Sequence, residues 1–342
     1  VQGAGCSVQR AAYVDGLGRS ETEQNGSHLS ISDRPRPSEP RLATLVKLPL
    51  LYLRTMGISP LTVRVPASTS NIGAGFDCLG LALNFWLEAR LVQGDGGATY
   101  SGTLEPITPD EDFLLLALGG AVPPGMQLEV NSSIPLSRGL GSSAAARVAG
   151  LVLSLLSSHE PVDREAVFTS ARMLEGHPDN AGPAVYGGLV LAADRPTQLE
   201  LHESLGVALT IPDQLSSTQA ARAILPPRIQ REDAISQASR AAALVLGLTG
   251  GDGDLVHHGM DDRIAVPHRK QLVMGFDQAR LAGLEAGAHG VTISGAGSTI
   301  LAITPKPLVS EISHAMTDAI LRVGGRATAA APDVVTGGFE VL

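Results

Sequence analysis

Aromatic residues are scarce in this 342-residue chain, 3% of the total with a single tryptophan, and the scarcity removes one class of function at once. Proteins that hold single-stranded nucleic acid stack bases on aromatic rings, and there are too few rings here to line such a channel. The formal charge of −9 argues the same way, since a nucleic-acid binder normally shows a basic face. A local basic pocket for a small anion stays allowed. Cysteine is equally rare: Cys6 and Cys78 are too few for a disulfide framework or a zinc ligand set, which favours a reducing, intracellular setting. Long apolar runs are missing as well. The longest near the N-terminus, residues 42–53, is broken by Lys47 and Pro49 and is too short to span a hydrocarbon core of about 30 Å. It also lies too far in, behind a mixed-charge segment, to read as a secretory signal. The cytoplasm is therefore the expected compartment, with neither nucleic acid nor membrane as partner.

What is present describes a globular protein: 44% hydrophobic residues, 17% charged, and length enough for two domains. Residues 1–57 stand apart. They are rich in Gly, Ser, Gln, Arg and Pro, lack apolar periodicity, and contain Arg34-Pro-Arg-Pro-Ser-Glu-Pro40, which fits neither a helix nor a central strand. A disordered extension is expected there, with a first domain over 58–212 and a second over 213–342. The residues after 57 carry 29 acidic and 18 basic side chains, so the folded part is acidic.

The pattern predicts a strand at 62–65, a two-glycine loop at 66–77 and an apolar segment at 78–91. A strand at 128–130 leads into a loop and a helix over 144–156. A helix at 164–174 is broken by Gly176 and Pro178. Buried strands are expected at 185–192 and 207–211. Ser217 caps a helix that stops at Pro226, a long helix runs over 232–248, and 250–254 reads as a turn. A further helix at 275–286, a strand-turn-strand at 291–303, a helix at 310–323 and a closing strand complete the chain. Strands and helices alternate without a βαβ rhythm, which indicates an α+β fold rather than a doubly wound sheet.

The chemistry concentrates in Pro135-Leu136-Ser137-Arg138-Gly139-Leu140-Gly141-Ser142-Ser143-Ala144. Glycines that bring backbone close to an anion, two hydroxyls, and the outward N–H groups of a helix start make a phosphate cradle. The plain alternative is a serine-capped helix. The loop is neither the Gly-Lys-Ser/Thr phosphate loop nor the dinucleotide fingerprint. Two other glycine-rich segments flank it, at 68–77 and 294–299. Singly, Asn71 and Asp77 read as turn residues bonding their own backbone, His177 as a surface loop histidine and Arg222 as a solvated helix residue. The pair His257-His258 has no metal-ligand neighbours at useful spacing, and 250–254 has too few ligands for a calcium loop.

Taken in order, the three segments resemble the motifs of the small-molecule kinases named after galactokinase, homoserine kinase, mevalonate kinase and phosphomevalonate kinase. The stretch from Val63 to Leu83, with Pro66-Ala-Ser-Thr-Ser-Asn-Ile-Gly-Ala-Gly-Phe-Asp77 inside it, is similar to the first motif of homoserine kinase. Glu175-Gly-His-Pro-Asp-Asn180, Ser217-Thr-Gln-Ala-Ala-Arg222, Pro267-His-Arg269 and Gly290-Val-Thr-Ile-Ser-Gly-Ala-Gly-Ser-Thr299 resemble its later segments. The resemblance covers residues 61–342. It implies a two-domain kinase fold, with an N-terminal domain like ribosomal protein S5 and a ferredoxin-like C-terminal domain. It also implies transfer of the ATP γ-phosphate to the hydroxyl of L-homoserine, with Mg²⁺, as a step of threonine biosynthesis. A homodimer is compatible with the sequence and not required by it.

By motif position, Arg222 and Arg269 hold the substrate carboxylate, Asp77 takes the ammonium, and Asn71 orients the hydroxyl. His177 and Thr218 complete the pocket, and Asn180 stands where sister kinases keep an aspartate base. Residues 135–144 cradle ATP, with Ser142 or Ser143 on the metal. Three departures go with this. Met173 stands where the family usually keeps the metal-binding glutamate, and Glu175, about 200° further round a helix, is not expected to replace it without rearrangement. Ser137-Arg138 replaces the common Gly-Ser, adding charge beside the phosphates or crowding the loop. Asp110-Glu-Asp-Phe-Leu114 lacks the usual Asn. Turnover below the family's norm is the expectation. The alternatives are an inactive, ligand-binding relative with a regulatory role, and a kinase of the superfamily with another acceptor.

Overall fold

A computed structural model describes residues 60–104 and 112–342. The expectations for residues 1–57 and for Asp110 and Glu111 lie outside the described residues. Strands β1 (Leu61–Asn71) and β2 (Gly75–Gln93) form a long antiparallel hairpin. β3 (Ala98–Gly102), α1 (Phe113–Leu118) and β4 (Met126–Ser132) follow. Next come α2 (Ser142–Ser157), α3 (Arg164–Glu175), α4 (Ala181–Tyr186), β5 (Leu189–Leu191) and β6 (Thr197–Leu199). β7 (Leu205–Pro212) leads to α5 (Thr218–Ala223), α6 (Arg231–Gly250), α7 (Gly253–Met260), α8 (Val266–Arg269) and α9 (Phe276–Glu285). The chain closes with β8 (Gly290–Ile293), β9 (Ile300–Pro305), α10 (Val309–Arg322), β10 (Ala327–Ala330) and β11 (Glu340–Val341).

Two sheets organise these elements, giving the mixed α+β class expected. The first runs β11-β1-β2-β4-β3, with β5 paired to the other half of β2 and β6 beyond it; β3 lies parallel to β4. The second is antiparallel, β10-β7-β9-β8. β7 shows the period of two that builds a core: Val207, Leu209 and Ile211 join the large core with Leu244 and Val256, whereas Ala208 faces the smaller one with Phe276, Ile312 and Met316. Among the described residues no helix is long and apolar enough to cross a membrane.

Three expectations are corrected. The predicted loop at 66–77 is mostly strand, because β1 continues to Asn71 and leaves a turn of three residues before β2. Its hydroxyls are buried yet partnered: Thr69 Oγ1 lies 2.7 Å from Ser294 Oγ, and Ser68 Oγ donates to Asn180 Oδ1 at 2.9 Å. Local polarity gave the appearance of a loop, and tertiary partners removed the cost of burying it. The predicted strand at 185–192 divides into the end of α4, a Gly187-Gly188 turn and β5, too short a helix for its period to show. The predicted turn at 250–254 contains a helix boundary. Gly251 ends α6 in the left-handed region, and Asp252 caps α7 by accepting from Asp254 and Leu255 N–H.

Candidate active site

The three glycine-rich segments meet around a cavity of about 640 Å³. One end is the start of α2. Its N-cap is Gly141 at φ 70°, no side chain caps it, and its own first turn holds no acid, so its first N–H groups are left without a side-chain acceptor at the cavity. Gly139 and Gly141 were expected to make room for an anion. Both line the cavity, and a Cβ on Gly139 would stand 2.1 Å from Ser294 O, one on Gly141 2.1 Å from Ser68 Oγ. The missing side chains let the loop seat on β1 and on the 294–299 turn.

Leu136, Ser137, Gly139, Leu140, Gly141, Ser142 and Ser143 line the cavity, whereas Pro135, Arg138 and Ala144 do not. Arg138 turns behind the loop and donates to Pro212 O, Leu136 O and Asp213 O, so it neither crowds the cavity nor points into it.

Glu175, and not position 173, brings a carboxylate to the loop. Glu175, the last residue of α3, has a 5% exposed side chain. One carboxylate oxygen accepts from Ser143 Oγ at 3.1 Å, and the other pairs with Arg147. Met173 is 67% exposed. Helical phase explains both: Val167, Phe168 and Ala171 are the buried residues of α3, Glu175 falls four residues after Ala171 on the same face, and Met173 falls about 200° away. That phase is legible in the sequence once α3 is known to run through 175. Arg147 stacks 4.1 Å over Phe113, and burial lowers its pKa.

The other end is built of charge. Asp77, at φ 56°, is held by Arg222 of α5 through two bonds, Nη2 to Oδ1 at 2.7 Å and Nη1 to Oδ2 at 3.1 Å. That pair raises the Arg222 pKa. Arg269 ends α8 and is 4% exposed; it donates to Ala221 O and Gly295 O, both at 3.0 Å. Burial, then the nearby Arg222 charge, lowers its pKa. Asn71, at φ 70°, donates to Gly295 O at 3.0 Å and accepts from Asp77 N–H at 2.9 Å, which ties the hairpin to the 294–299 turn. Asn180 clamps β1, accepting from Ser68 and donating to Ser70 Oγ at 3.1 Å. His177 Nδ1 bonds Asp179, whose side chain is 2% exposed. Thr218 opens α5 at the cavity wall, behind Ser217, which caps the helix.

All seven expected acceptor-side residues thus line one cavity. Glu175, Arg147, Asp179 and Ser70, which line it too, had been assigned no role. His257 and His258 lie on α7 away from it, bonded to His289 O and to Arg240.

The model of the GHMP kinases N terminal domain matches residues 112–188. The homoserine kinase of Microchaete diplosiphon is 36% identical over 283 residues, 78% of this chain and 92% of the relative. The chain belongs to the homoserine kinase family. Another homoserine kinase, from Synechococcus sp., is 40% identical over 272 residues, 74% of this chain and 89% of its own. The crystal structure of homoserine kinase from Cytophaga hutchinsonii superposes with a TM-score of 0.72 at 29% identity, covering 84% of this chain and 98% of that one. Family membership extends the likeness well beyond the 112–188 match, across both sheets.

Proposed function

We propose that the chain transfers the γ-phosphoryl group of ATP to the hydroxyl of L-homoserine, giving O-phospho-L-homoserine and ADP in threonine biosynthesis. The observation that carries this reading is the pairing of opposites in one cavity: an uncapped helix start suited to phosphate at one end, and Asp77 with Arg222 and Arg269 at the other. An acceptor bearing both ammonium and carboxylate can replace the Asp77–Arg222 pair charge for charge. Its ammonium takes Asp77, while its carboxylate takes the two guanidinium groups. Mevalonate and sugars bring no cation for Asp77.

Phosphoryl transfer asks for alignment and charge neutralisation more than for covalent chemistry. The α2 N–H groups and the Ser142 and Ser143 hydroxyls hold phosphate oxygens. Asn71 and Thr218 bound the acceptor hydroxyl, and Asp179 fixes the His177 ring beside it. Asn180 spends its amide on Ser68 and Ser70, and an amide is no base, so the proton of the acceptor hydroxyl passes to an oxygen of the transferring phosphoryl group as the new O–P bond forms and the bond to ADP breaks. The residues fit Mg²⁺: Ser143 Oγ and Glu175 Oε2 are neighbouring hard oxygen donors on a buried wall, which favours Ser143 over Ser142 as the metal serine. When bound, the ion neutralises charge on the transferring phosphoryl group. The two grounds for a weakened or purely regulatory relative, Met173 and Arg138, carry less weight with Glu175 at Ser143 and Arg138 turned away. Incubation with Mg·ATP and homoserine, mevalonate or galactose, with ADP release followed, tests the reading. Turnover with homoserine alone supports it, and homoserine binding without turnover, or turnover with another acceptor, overturns it.

A further inference from the structure

We propose that Arg138 is a positioning residue that joins the phosphate loop to the acceptor helix α5, so that nucleotide and acceptor bind with positive coupling. The inference rests on the reading above and concerns a side chain outside the cavity lining. Its guanidinium forks across three carbonyls. Nη1 holds Leu136 O of its own loop at 2.9 Å, and Nε and Nη2 hold Pro212 O and Asp213 O, where β7 ends, at 2.8 and 3.0 Å. Its own carbonyl accepts from Thr299 N–H at 3.2 Å, so this one residue joins the loop, the third glycine segment and the end of β7.

The segment it grips leads straight to the acceptor. Ser216 N–H donates to Ser137 O at 2.8 Å, and Ser216 Oγ donates to Ala296 O at 2.9 Å. Ser217 then caps α5, which carries Thr218 and Arg222. A shift of the loop on phosphate binding is thereby passed to α5 through residues 214–217, tied by Ser216 to Ser137 and Ala296. The three acceptors are neutral carbonyls, and among the described residues no carboxylate lies within 4.0 Å of Arg138, so the fork rather than an ion pair makes the link. A lysine keeps the charge and loses the fork, because one ammonium cannot span three divergent carbonyls.

The test is calorimetric binding of L-homoserine and of Mg·AMP-PNP, each alone and with the other saturating, in the parent chain, Arg138→Ala and Arg138→Lys. The expected result is mutual tightening of about tenfold in the parent, within the usual range for coupled sites, and under about threefold in both variants. Each ligand's affinity alone moves less than about threefold, given a side chain outside the cavity. Four outcomes overturn the proposal: no coupling in the parent, unchanged coupling in Arg138→Ala, coupling restored by Arg138→Lys, or loss confined to AMP-PNP binding alone, which would make Arg138 a phosphate contact. A second readout keeps the proposal separate from the identity of the acceptor. Hydrogen exchange on adding Mg·AMP-PNP alone slows amides of residues 214–221 in the parent and only loop amides in the variants. Equal protection of 214–221 in all three overturns the link. Failure of the parent to bind homoserine would instead sink the functional reading and leave the exchange result to decide.

Discussion

At the end of the cavity proposed for nucleotide the surface is backbone: the uncapped N–H groups of α2, positioned by two glycines that pack on Ser294 and Ser68. At the end proposed for the acceptor it is charged side chains, Asp77 on Arg222, Asp179 on His177, and Arg269 on two carbonyls, carried by segments up to 192 residues apart in sequence. The difference teaches how each end achieves selectivity. A backbone cradle recognises any phosphate and is fixed by local conformation. A set of paired charges holds its own counterions when empty and yields only to a ligand that replaces both signs.

The largest expected effect is at Arg269. Arg269→Ala removes a buried charge and leaves Ala221 O without its donor, while Gly295 O keeps Asn71, and it lowers kcat/KM for homoserine by about 400-fold, the middle of the 2–5 kcal/mol scale of such truncations. With the ends coupled as proposed, the KM for ATP read at sub-saturating homoserine should rise with it by up to about tenfold, and an ATP KM that stays within about threefold would show the ends to be independent. Glu175 and Met173 come next. Glu175→Gln lowers kcat by about 100-fold and raises the Mg²⁺ needed for half-maximal rate, whereas Met173→Glu, at an exposed position, changes it by no more than about twofold. A gain from Met173→Glu would restore the reading in which position 173 is the metal site.

Gly141→Ala strains a φ of 70° and places a methyl on Ser68, so it costs about 1–3 kcal/mol in chemical denaturation. Because Ser68 is bonded to Asn180, the same variant should disturb the acceptor end, and a change confined to ATP binding would sharpen the division between the two. Asp77→Asn raises the homoserine KM by about tenfold, while the partly exposed pair contributes at most about 1 kcal/mol to stability. The smallest effect is on Cys78. Burial first, then the charges of Asp179 and Asp77, raise its pKa and suppress the thiolate, so alkylation at pH 8 runs slower than for a free cysteine. Asp77→Asn removes one of those charges and should speed Cys78 alkylation by about twofold in peptide mapping.

Much of the molecule was legible before its folding was known. The periodicity of α2, α3, α6 and α10 and the alternation of β7 located those elements, since amphipathic faces repeat within a few residues. The polar end of β1 was misread because its hydroxyls find partners in Ser294 and Asn180, more than 100 residues away. The short α4 and the α6–α7 boundary were missed because six residues, or a single Gly-Asp cap, carry too little period to register.

The sequence by itself determined the α+β class and the set of motifs whose residues, expected at the acceptor, line one cavity, because residue type and spacing encode local conformation and the family's pattern. Only the tertiary structure decided which acid meets the phosphate-loop serine, that Arg138 faces β7 instead of the cavity, and that Asp77 and Arg222 hold each other. Each of those facts depends on where side chains from distant segments come within about 3 Å of their partners, and a directional contact of that length is set by packing, not by any pattern within a single segment.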